Sequence, residues 1–144
     1  MKYTLLQNGI APTVGSPGSA GIDFYLPDNY PGEYLEPGES IKIELGVKVI
    51  IPQGKVGIFF NRSSIGSQGV ILGACVIDSD YRGQLIVNLH NVGEIGFLLK
   101  RKMKIVQMVV LNYTTELEQI SLTDYGKDVT IRNTGGFGST NGGK

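Results

Sequence analysis

Alternating apolar and polar residues predict one long strand near the middle of the chain. From Ile41 to Ile51 an apolar residue stands at every odd position. A period of two over this length is typical of a half-buried strand or of a bent pair of strands. Residues 52–55 have the Pro and Gly content of a turn, so Val56–Phe60 is predicted to be the returning strand.

Three later apolar runs predict further strands. Val70–Ile77 and Gly83–Asn91 flank the polar loop 78–82, and this arrangement predicts a hairpin-like pair. Ile105–Leu111 is apolar apart from Gln107, which indicates a largely buried strand.

Helices are predicted to be scarce. The candidates are Thr115–Ile120 and one turn after Ser64, while the Pro- and Gly-rich stretch Tyr25–Gly38 predicts loops at a sheet edge. Glycine supplies 21 of the 144 residues, about twice the usual share of ~7%. Many short strands joined by turns favour a sandwich, a jelly roll or a barrel. We therefore predict an all-β protein with little helix.

Length and charge exclude several classes of protein. A chain of 144 residues is expected to form one domain. Its 13 basic and 13 acidic residues cancel, so it lacks the basic excess on which direct nucleic-acid binding draws. The single cysteine, Cys75, excludes an internal disulfide, and the single histidine, His90, excludes a His-rich metal site. No membrane-spanning run or signal peptide is evident, so a cytoplasmic protein is expected.

Asp78 is the most informative acidic residue. It follows the apolar pair Val76-Ile77, so its carboxylate is expected where a strand meets a loop, partly shielded from water. A carboxylate there can take a proton from a water molecule. The alternative is that Asp78 and Asp80 only cap a turn through their side chains.

Two polar features at strand ends indicate anion binding. Arg62-Ser63-Ser64 ends the strand Val56–Phe60, and a guanidinium with two hydroxyls and free amides can bind an oxyanion or a phosphate. Gln107 needs a partner for its amide, either a neighbouring strand or a ligand oxygen. Both features also have purely structural interpretations, as an exposed loop and a satisfied strand residue.

The C-terminal stretch has the groups needed to bind a phosphorylated, ring-bearing ligand. Arg132 is followed by several glycines, by Phe137 and by two hydroxyl residues. Arg and hydroxyls suit phosphates, and an aromatic ring can stack on a base. A stretch so rich in glycine cannot build a core. We expect residues 133–144 to be mobile until something orders them, and an unordered tail without function is the alternative.

These segments resemble the family of homotrimeric deoxyuridine triphosphatases (dUTPases). The five motifs of that family appear in order between Ala20 and Thr140, and together they are far more specific than any one alone. In this sequence they are Ala20-Gly21-Ile22-Asp23-Phe24, Arg62-Ser63-Ser64-Ile65-Gly66, Gly73-Ala74-Cys75-Val76-Ile77-Asp78-Ser79-Asp80-Tyr81-Arg82-Gly83, the partial Lys104-Ile105-Val106-Gln107, and Arg132 with Gly135-Gly136-Phe137-Gly138-Ser139-Thr140.

The resemblance implies Mg²⁺-dependent hydrolysis of dUTP to dUMP and pyrophosphate, with the metal held mainly by the triphosphate. Asp78 would deprotonate the attacking water, Tyr81 would exclude a ribose 2′-hydroxyl, and Asp23 would order Arg62 or a magnesium-bound water. The other implied substrate-binding residues are Ala74, Cys75, Val76 and Ile77 for uracil, Arg62, Ser63, Ser64 and Gln107 for phosphates, and Arg132, Phe137, Gly138, Ser139 and Thr140 from the C-terminal arm.

The same resemblance implies a jelly-roll-like distorted barrel of the β-clip type and a homotrimer. Residues 1–131 would form the β domain, and the arm 132–144 would complete a neighbouring subunit's active site. One subunit would supply the third motif, another the second and fourth, and a third the arm.

The sequence departs from the family pattern at several positions. Asn61 stands where Pro is usual, Lys102-Met103-Lys104 replaces Gly-Asp-Arg, and Asn133 replaces Gly. Cys75 also replaces Gly, and its β-carbon would hinder the site if the backbone there needs a positive φ or a close approach to uracil.

Two other functions are open at this stage. A dCTP deaminase shares the fold and the Arg-Ser-Ser stretch, but that chemistry relies on Glu where this chain has Gln84. A non-catalytic trimer, such as a β-rich virion or regulatory protein, could keep the fold without the reaction.

Overall fold

The computed structural model describes residues 1–128 and 130, and these residues form a nearly all-β protein with two short helices. The prediction of a jelly-roll-like all-β fold is confirmed, although the sheets among the described residues remain open and do not close into a barrel. The elements are β1 (Lys2–Leu5), β2 (Thr13–Val14), β3 (Ile22–Tyr25), β4 (Glu33–Leu35), β5 (Ser40–Ile50), β6 (Lys55–Asn61), α1 (Ser63–Gly66), β7 (Val70–Leu72), β8 (Val76–Ile77), β9 (Gln84–Asn91), β10 (Phe97–Leu99), β11 (Lys104–Asn112) and α2 (Leu122–Tyr125).

The strands form two larger sheets and one small one. The four-stranded sheet has the order β1-β5-β9-β7, the five-stranded sheet has the order β2-β3-β11-β6-β8, and β10 pairs with β4. Every strand pair is antiparallel. Antiparallel sheets bury one face and leave the other free for water or for a partner.

One hydrophobic core contains residues of both larger sheets. Leu45, Val47 and Val49 supply it from β5, as the period of two predicted. Phe24 of β3 and Phe59 of β6 meet edge to face with ring centroids 5.5 Å apart. Full burial of side chains of this size is worth about 1.5–3 kcal/mol each, so the two inner faces hold the fold together.

Two strand partnerships differ from the predictions. β6 does not return against β5 but pairs with β11 and β8 in the other sheet. The run Val70–Ile77 is also not one strand, because β7 pairs with β9 while β8 pairs with β6. Period-two patterns define which face of a strand is buried, but not which strand lies beside it.

Of the two helix predictions, the turn after Ser64 is confirmed as α1, and Thr115–Ile120 is wrong. Those residues have no helical structure, and a helix begins only at Leu122. The hydroxyl of Ser121 accepts a hydrogen bond from the amide of Asp124 at 3.1 Å. This N-cap satisfies a free amide of the first turn and so sets where the helix starts.

The chain divides into two units, Met1–Thr114 and Thr115–Lys144. The first contains the eleven strands found among residues 1–128 and 130. The boundary predicted between residues 131 and 132 falls at the limit of the described residues and stays a prediction. Among the described residues no helix is both long and apolar enough to cross a membrane.

Lys102 explains one departure from the family pattern. Its φ is 61°, a left-handed conformation that glycine adopts without steric cost and other residues do not. A Gly at position 102 would therefore adopt this backbone without strain, whereas Lys102 adopts it at a steric cost. We expect Lys102→Gly to exceed Lys102→Ala in free energy of unfolding by about 1 kcal/mol. Both variants lose the 2.8 Å ion pair with Asp28. The difference between their free energies of unfolding in urea therefore reports the backbone conformation alone. Equal free energies would contradict a strained backbone at Lys102.

Candidate functional site

An open depression of about 530 Å³ lies on the outer face of the five-stranded sheet, and we call it the phosphate depression. Gln107 of β11 forms its floor, because this residue pairs with Asp23 on one side and with Phe60 on the other. Arg62, Ser63 and Lys104 also line it. Residues of the first, second and fourth motifs thus meet in one place, as adjacent strands require.

Asp23 organises the charge of this depression. Its side chain is only 12% exposed, and each of its oxygens is paired with a cation. Arg62 Nε donates to Oδ1 at 3.0 Å, and Lys104 Nζ donates to Oδ2 at 2.8 Å. Arg62 Nη1 also donates to the carbonyl oxygen of Lys104 at 3.3 Å. The ion pair between Asp23 and Arg62 fits one of the two roles expected for Asp23, the ordering of Arg62, and that role stays a prediction.

The Asp23 hydrogen bond also raises the pKa of Lys104, because the paired carboxylate favours the charged form of the amine. Lys104 therefore keeps its positive charge near neutral pH. Two cations against one carboxylate leave the depression with one net positive charge, and its other lining residues are neutral.

Gln107 is held by its neighbours in a defined orientation. Its Nε2 donates to the carbonyl oxygen of Asn61 at 2.9 Å, which leaves its second N–H available to a ligand. A β-carbon on Gly21 would overlap Oε1 of Gln107. The glycine of the first motif, Gly21, therefore leaves the space that the Gln107 side chain fills. Asn61 contributes only its backbone carbonyl oxygen to this contact, which a proline or any other residue at position 61 would also provide.

Ser63 and Ser64 begin α1 and are both exposed. Ser63 lines the phosphate depression, whereas Ser64 lines a second depression of about 580 Å³ on the other side of Arg62 and Lys104. Lys100 is a further cation of that second depression, and none of the described residues that line it is acidic. Each serine hydroxyl thus lies in a depression that Arg62 and Lys104 also line.

Asp78 follows directly on β8, so the prediction that it lies where a strand meets a loop is confirmed. The expected shielding from water is wrong for the single chain, because Asp78 is exposed. β8 is only two residues long and lies at the edge of its sheet, so no further strand covers the residue that follows it. The loop itself is ordered by Arg82, whose Nη1 donates to the carbonyl oxygens of Ser79 and Tyr81, each at 2.8 Å.

Tyr81 is fixed above the same loop. Its hydroxyl donates to the carbonyl oxygen of Gln84 at 2.8 Å, and a β-carbon on Gly83 would overlap that hydroxyl. The ring is thus anchored at its far end and packs over a residue without a side chain. A ring held this way is suited to steric selection, because it cannot swing aside at low cost.

The segment Ala74–Ile77 tolerates its unusual cysteine. The non-glycine residues with positive φ in the described chain are Asn8 and Lys102, so Cys75 needs no left-handed backbone. Its side chain packs partly buried against the core, and its carbonyl oxygen accepts a hydrogen bond from the amide of Phe59 at 2.9 Å. The first of the two possible conflicts at Cys75, a left-handed backbone, is therefore absent, and a close approach of its β-carbon to uracil stays a prediction.

Asp78 and Gln107 lie at opposite ends of β6. Asp78 follows Ile77, which pairs with Gly57, whereas Gln107 pairs with Phe60 across the sheet. Three residues along a strand and two strand spacings separate Ile77 from Gln107 by about 10 Å in each direction, and Asp78 continues β8 one residue further away. One chain therefore does not bring the third motif to the phosphate depression.

Lys104 is the site residue to which the sequence had assigned no role. The predicted residues Arg132, Phe137, Gly138, Ser139 and Thr140 lie outside the described residues, as does Asn133.

Magnesium prefers oxygen ligands and usually keeps several waters. The described part of the chain contains no cluster of three His, Cys, Asp or Glu side chains that could hold a metal. Both oxygens of Asp23 already accept from cations. These residues therefore suit an ion that arrives with a triphosphate, which Asp23 would contact through water, and not an ion held by the protein alone.

An all-β fold with a cationic depression on one sheet face is suited to binding an anionic ligand. The sequence matches the family model for dUTPase over residues 7–141. The chain therefore belongs to the dUTPase family.

Individual relatives agree with this assignment. The chain is 36% identical to the deoxyuridine 5′-triphosphate nucleotidohydrolase of Escherichia phage T5 over 147 residues, covering 97% of both chains. It is 40% identical to that of Desulfitobacterium hafniense over 134 residues, covering 90% of this chain and 85% of the relative. A solved dUTPase mutant of phage 80alpha superposes with a TM-score of 0.82 at 25% identity, covering 96% of both chains. Another mutant of that dUTPase, solved with dUpNHpp, superposes with a TM-score of 0.79 at 26% identity and also covers 96% of both chains.

Proposed function

We propose that this protein hydrolyses dUTP to dUMP and pyrophosphate, with the phosphates bound in the phosphate depression. The observation that carries the proposal is the pairing of Arg62 and Lys104 around one Asp23, which leaves a net positive charge beside the free N–H of Gln107. Phosphoryl transfer needs positioning and charge neutralisation more than covalent help. Magnesium bound to the triphosphate would add to that neutralisation.

In this reaction Asp78 acts as the general base. Its carboxylate takes a proton from a water molecule, whose oxygen forms a bond to the α-phosphorus. The bond from that phosphorus to the oxygen bridging to the β-phosphorus breaks, and pyrophosphate leaves with the bonding electrons. The exposure of Asp78 supports this role, because water must reach the carboxylate.

The loop around Asp78 would select the nucleoside. The backbone of Ala74–Ile77 offers amides and carbonyls to the uracil edge, and a tight backbone has no space for the methyl group of thymine. The Tyr81 ring, anchored to the carbonyl oxygen of Gln84, would pack against the deoxyribose where a 2′-hydroxyl would otherwise lie.

We expect Tyr81→Ala to lower the preference for dUTP over UTP by at least about tenfold, because a steric contact of one atom is worth about 10–200-fold in specificity. The measurement is kcat/KM for both nucleotides. Tyr81→Phe keeps the ring and loses only the hydrogen bond to Gln84. Its preference for dUTP over UTP should therefore lie between those of the wild type and of Tyr81→Ala. An unchanged preference in Tyr81→Ala would remove Tyr81 from sugar selection.

The active site would be shared between subunits of a homotrimer. The separation of Asp78 from Gln107 within one chain supports this proposal. So does a row of outward-facing apolar side chains on the five-stranded sheet, which we call the outer apolar face and which consists of Val56, Ile58, Phe60, Val76, Val109 and Leu111. Contiguous exposed apolar surface beside a polar site is typical of an interface.

The second unit supports the same assembly. Leu117 is 97% exposed and Leu122 is 85% exposed, which is costly for side chains of this size unless another surface covers them. We propose that this segment packs on a neighbouring subunit and leads into the arm 132–144. Arg132, Ser139 and Thr140 would then bind the γ-phosphate there, with Phe137 stacked on uracil beside Gly138. Such an arm would exclude bulk water as a lid does.

In the cell this reaction would limit incorporation of uracil into DNA and supply dUMP for dTMP synthesis. We place it in the cytoplasm with the nucleotides on which it acts. Membranes would play no part in it.

A turnover assay tests the proposed function. Purified protein is incubated with dUTP, dCTP, dTTP and UTP, with and without Mg²⁺, and both pyrophosphate and ammonia are measured. We expect pyrophosphate from dUTP, and much less without the metal. Ammonia from dCTP would instead indicate a deaminase, and the absence of both products would indicate a non-catalytic relative.

A further inference from the structure

We propose that Asn88 and His90 determine the preference for uracil over thymine, because their side chains close the inner end of the loop that would bind the base. This inference rests on the proposed function and deepens it. Neither residue belongs to any of the five motifs. Two observations carry it: the place where the third motif leaves the four-stranded sheet, and the side chains that fill the space beside that place.

Gly73, the first residue of the third motif, is the point where the chain leaves the four-stranded sheet. β7 pairs with β9 as far as Leu72, and the amide of Gly73 then donates to the carbonyl oxygen of Asn88 at 2.9 Å. The next strand, β8, pairs with β6 in the other sheet. The segment Ala74–Ile77 thus diverges from β9 beyond Gly73. A base bound to this segment can extend no further than the hydrogen bond between Gly73 and Asn88.

Tyr81 defines which edge of the base would face that inner end. Its hydroxyl donates to the carbonyl oxygen of Gln84, so the deoxyribose would lie near Gln84. Asn88 lies four residues further along β9, about 13 Å away. In a pyrimidine nucleotide, C4 is opposite the nitrogen that carries the sugar, and C5 is next to C4. The C5 methyl group of thymine would therefore be directed toward Gly73 and Asn88.

The side chains of Asn88 and His90 fill the space beside Gly73. A β-carbon at position 73 would overlap Nε2 of His90 and would lie only 2.6 Å from Nδ2 of Asn88. Both residues alternate along β9 with the core residues Val87 and Leu89, so their side chains lie on the outer face of the sheet and extend toward the third motif. The space beside Gly73 has no room for a single carbon atom, and a thymine methyl group that reaches it meets the same two side chains.

Neighbouring strands hold both side chains in place. His90 lies between its cross-strand partners Ser40 of β5 and Ile71 of β7, and Asn88 has Lys42 of β5 on the side away from Gly73. Side chains directly opposite each other on adjacent strands are close enough to be in contact. Exclusion of a methyl group requires such support, because a side chain that could move aside would admit thymine at little cost.

The test compares Asn88→Ala and His90→Ala with Asn88→Leu, which keeps the size of the side chain, and with the control Lys42→Ala. Lys42 pairs with Asn88 from β5, on the other side of β9 from Gly73. For each protein, kcat/KM for dUTP and for dTTP and the melting temperature are measured. Binding of dUpNHpp and of its thymidine counterpart is also measured by calorimetry, which needs no turnover.

We expect Asn88→Ala and His90→Ala each to lower the preference for dUTP over dTTP by about 10-fold or more, since room for one methyl group is worth about 10–200-fold in specificity. Asn88→Leu and Lys42→Ala should keep the wild-type preference. A lower melting temperature with an unchanged preference, or an equal loss for both nucleotides, would show a purely structural role and overturn the proposal. Loss of the preference in Asn88→Leu would contradict a steric cause. If the wild type leaves dUTP intact, the proposed function fails, while the calorimetric comparison still decides the roles of Asn88 and His90.

Discussion

Replacing Asp78 by Asn should lower kcat for dUTP hydrolysis by about 10²–10⁴-fold, the usual contribution of a positioned general base. The amide keeps the size and most of the hydrogen bonding of the carboxylate but cannot accept the proton of the attacking water. Asp78 is exposed at the end of β8, and the loop after it is held by Arg82. The substitution should therefore leave the backbone and the nucleotide affinity unchanged.

Asp80→Asn is the matched control, because this exposed acid lies in the same loop two residues further on. We expect it to keep near-normal turnover. Binding of a non-hydrolysable dUTP analogue, measured by calorimetry, should be similar in the wild type and in both variants. Near-normal turnover in Asp78→Asn would refute Asp78 as the base, and equal losses in both variants would assign the effect to the charge of the loop.

The sequence predicted the elements of the fold better than their partners. Residues 41–51 alternate because one face of β5 is buried, and β5 is present almost as predicted. The same alternation cannot reveal that β6 crosses to the other sheet, because Phe59 meets the core equally well from either side. Strand order depends on contacts distant in sequence, which local periodicity does not contain.

Lys104 was missed for a specific physical reason. In a regular strand, residues 104 and 107 point to opposite faces, since their separation is odd. A bulge between Lys104 and Val106 inserts one extra residue, so that Ile105 and Val106 are both buried and Lys104 lines the same depression as Gln107. A bulge of this kind redirects a side chain toward a site, and nothing in the apolar run indicates it.

The distance between Asp78 and the phosphate depression could not be predicted from local patterns in the sequence. Asp78, Arg62 and Gln107 look like parts of one cluster in the sequence, because each follows or interrupts an apolar strand. The register of β6 separates them instead, with Asp78 beyond Gly57 and Gln107 opposite Phe60. Only the pairing of strands could show that one chain does not bring Asp78 to the phosphate depression.

Replacing Leu111 by Lys should convert the proposed trimer into folded monomers and lower turnover at least about 100-fold. Leu111 is 44% exposed on the outer apolar face, opposite Val56, and it lines neither depression. A trimer would bring the new charge into its interface three times. An unpaired buried charge costs several kcal/mol. This cost is larger than the stabilisation that a single apolar side chain such as Leu111 gives an interface.

Ile86→Lys is the control for the cost of placing lysine in a strand. Ile86 is 41% exposed and lies on the outward face of the four-stranded sheet, opposite Glu44. We expect this variant to remain trimeric and active by sedimentation equilibrium and turnover, and circular dichroism should show β structure in both variants. A trimeric, active Leu111→Lys would exclude the outer apolar face as the interface. A wild-type monomer with full activity would contradict the shared site itself, since the register separates Asp78 from Gln107 by more than about 10 Å along β6.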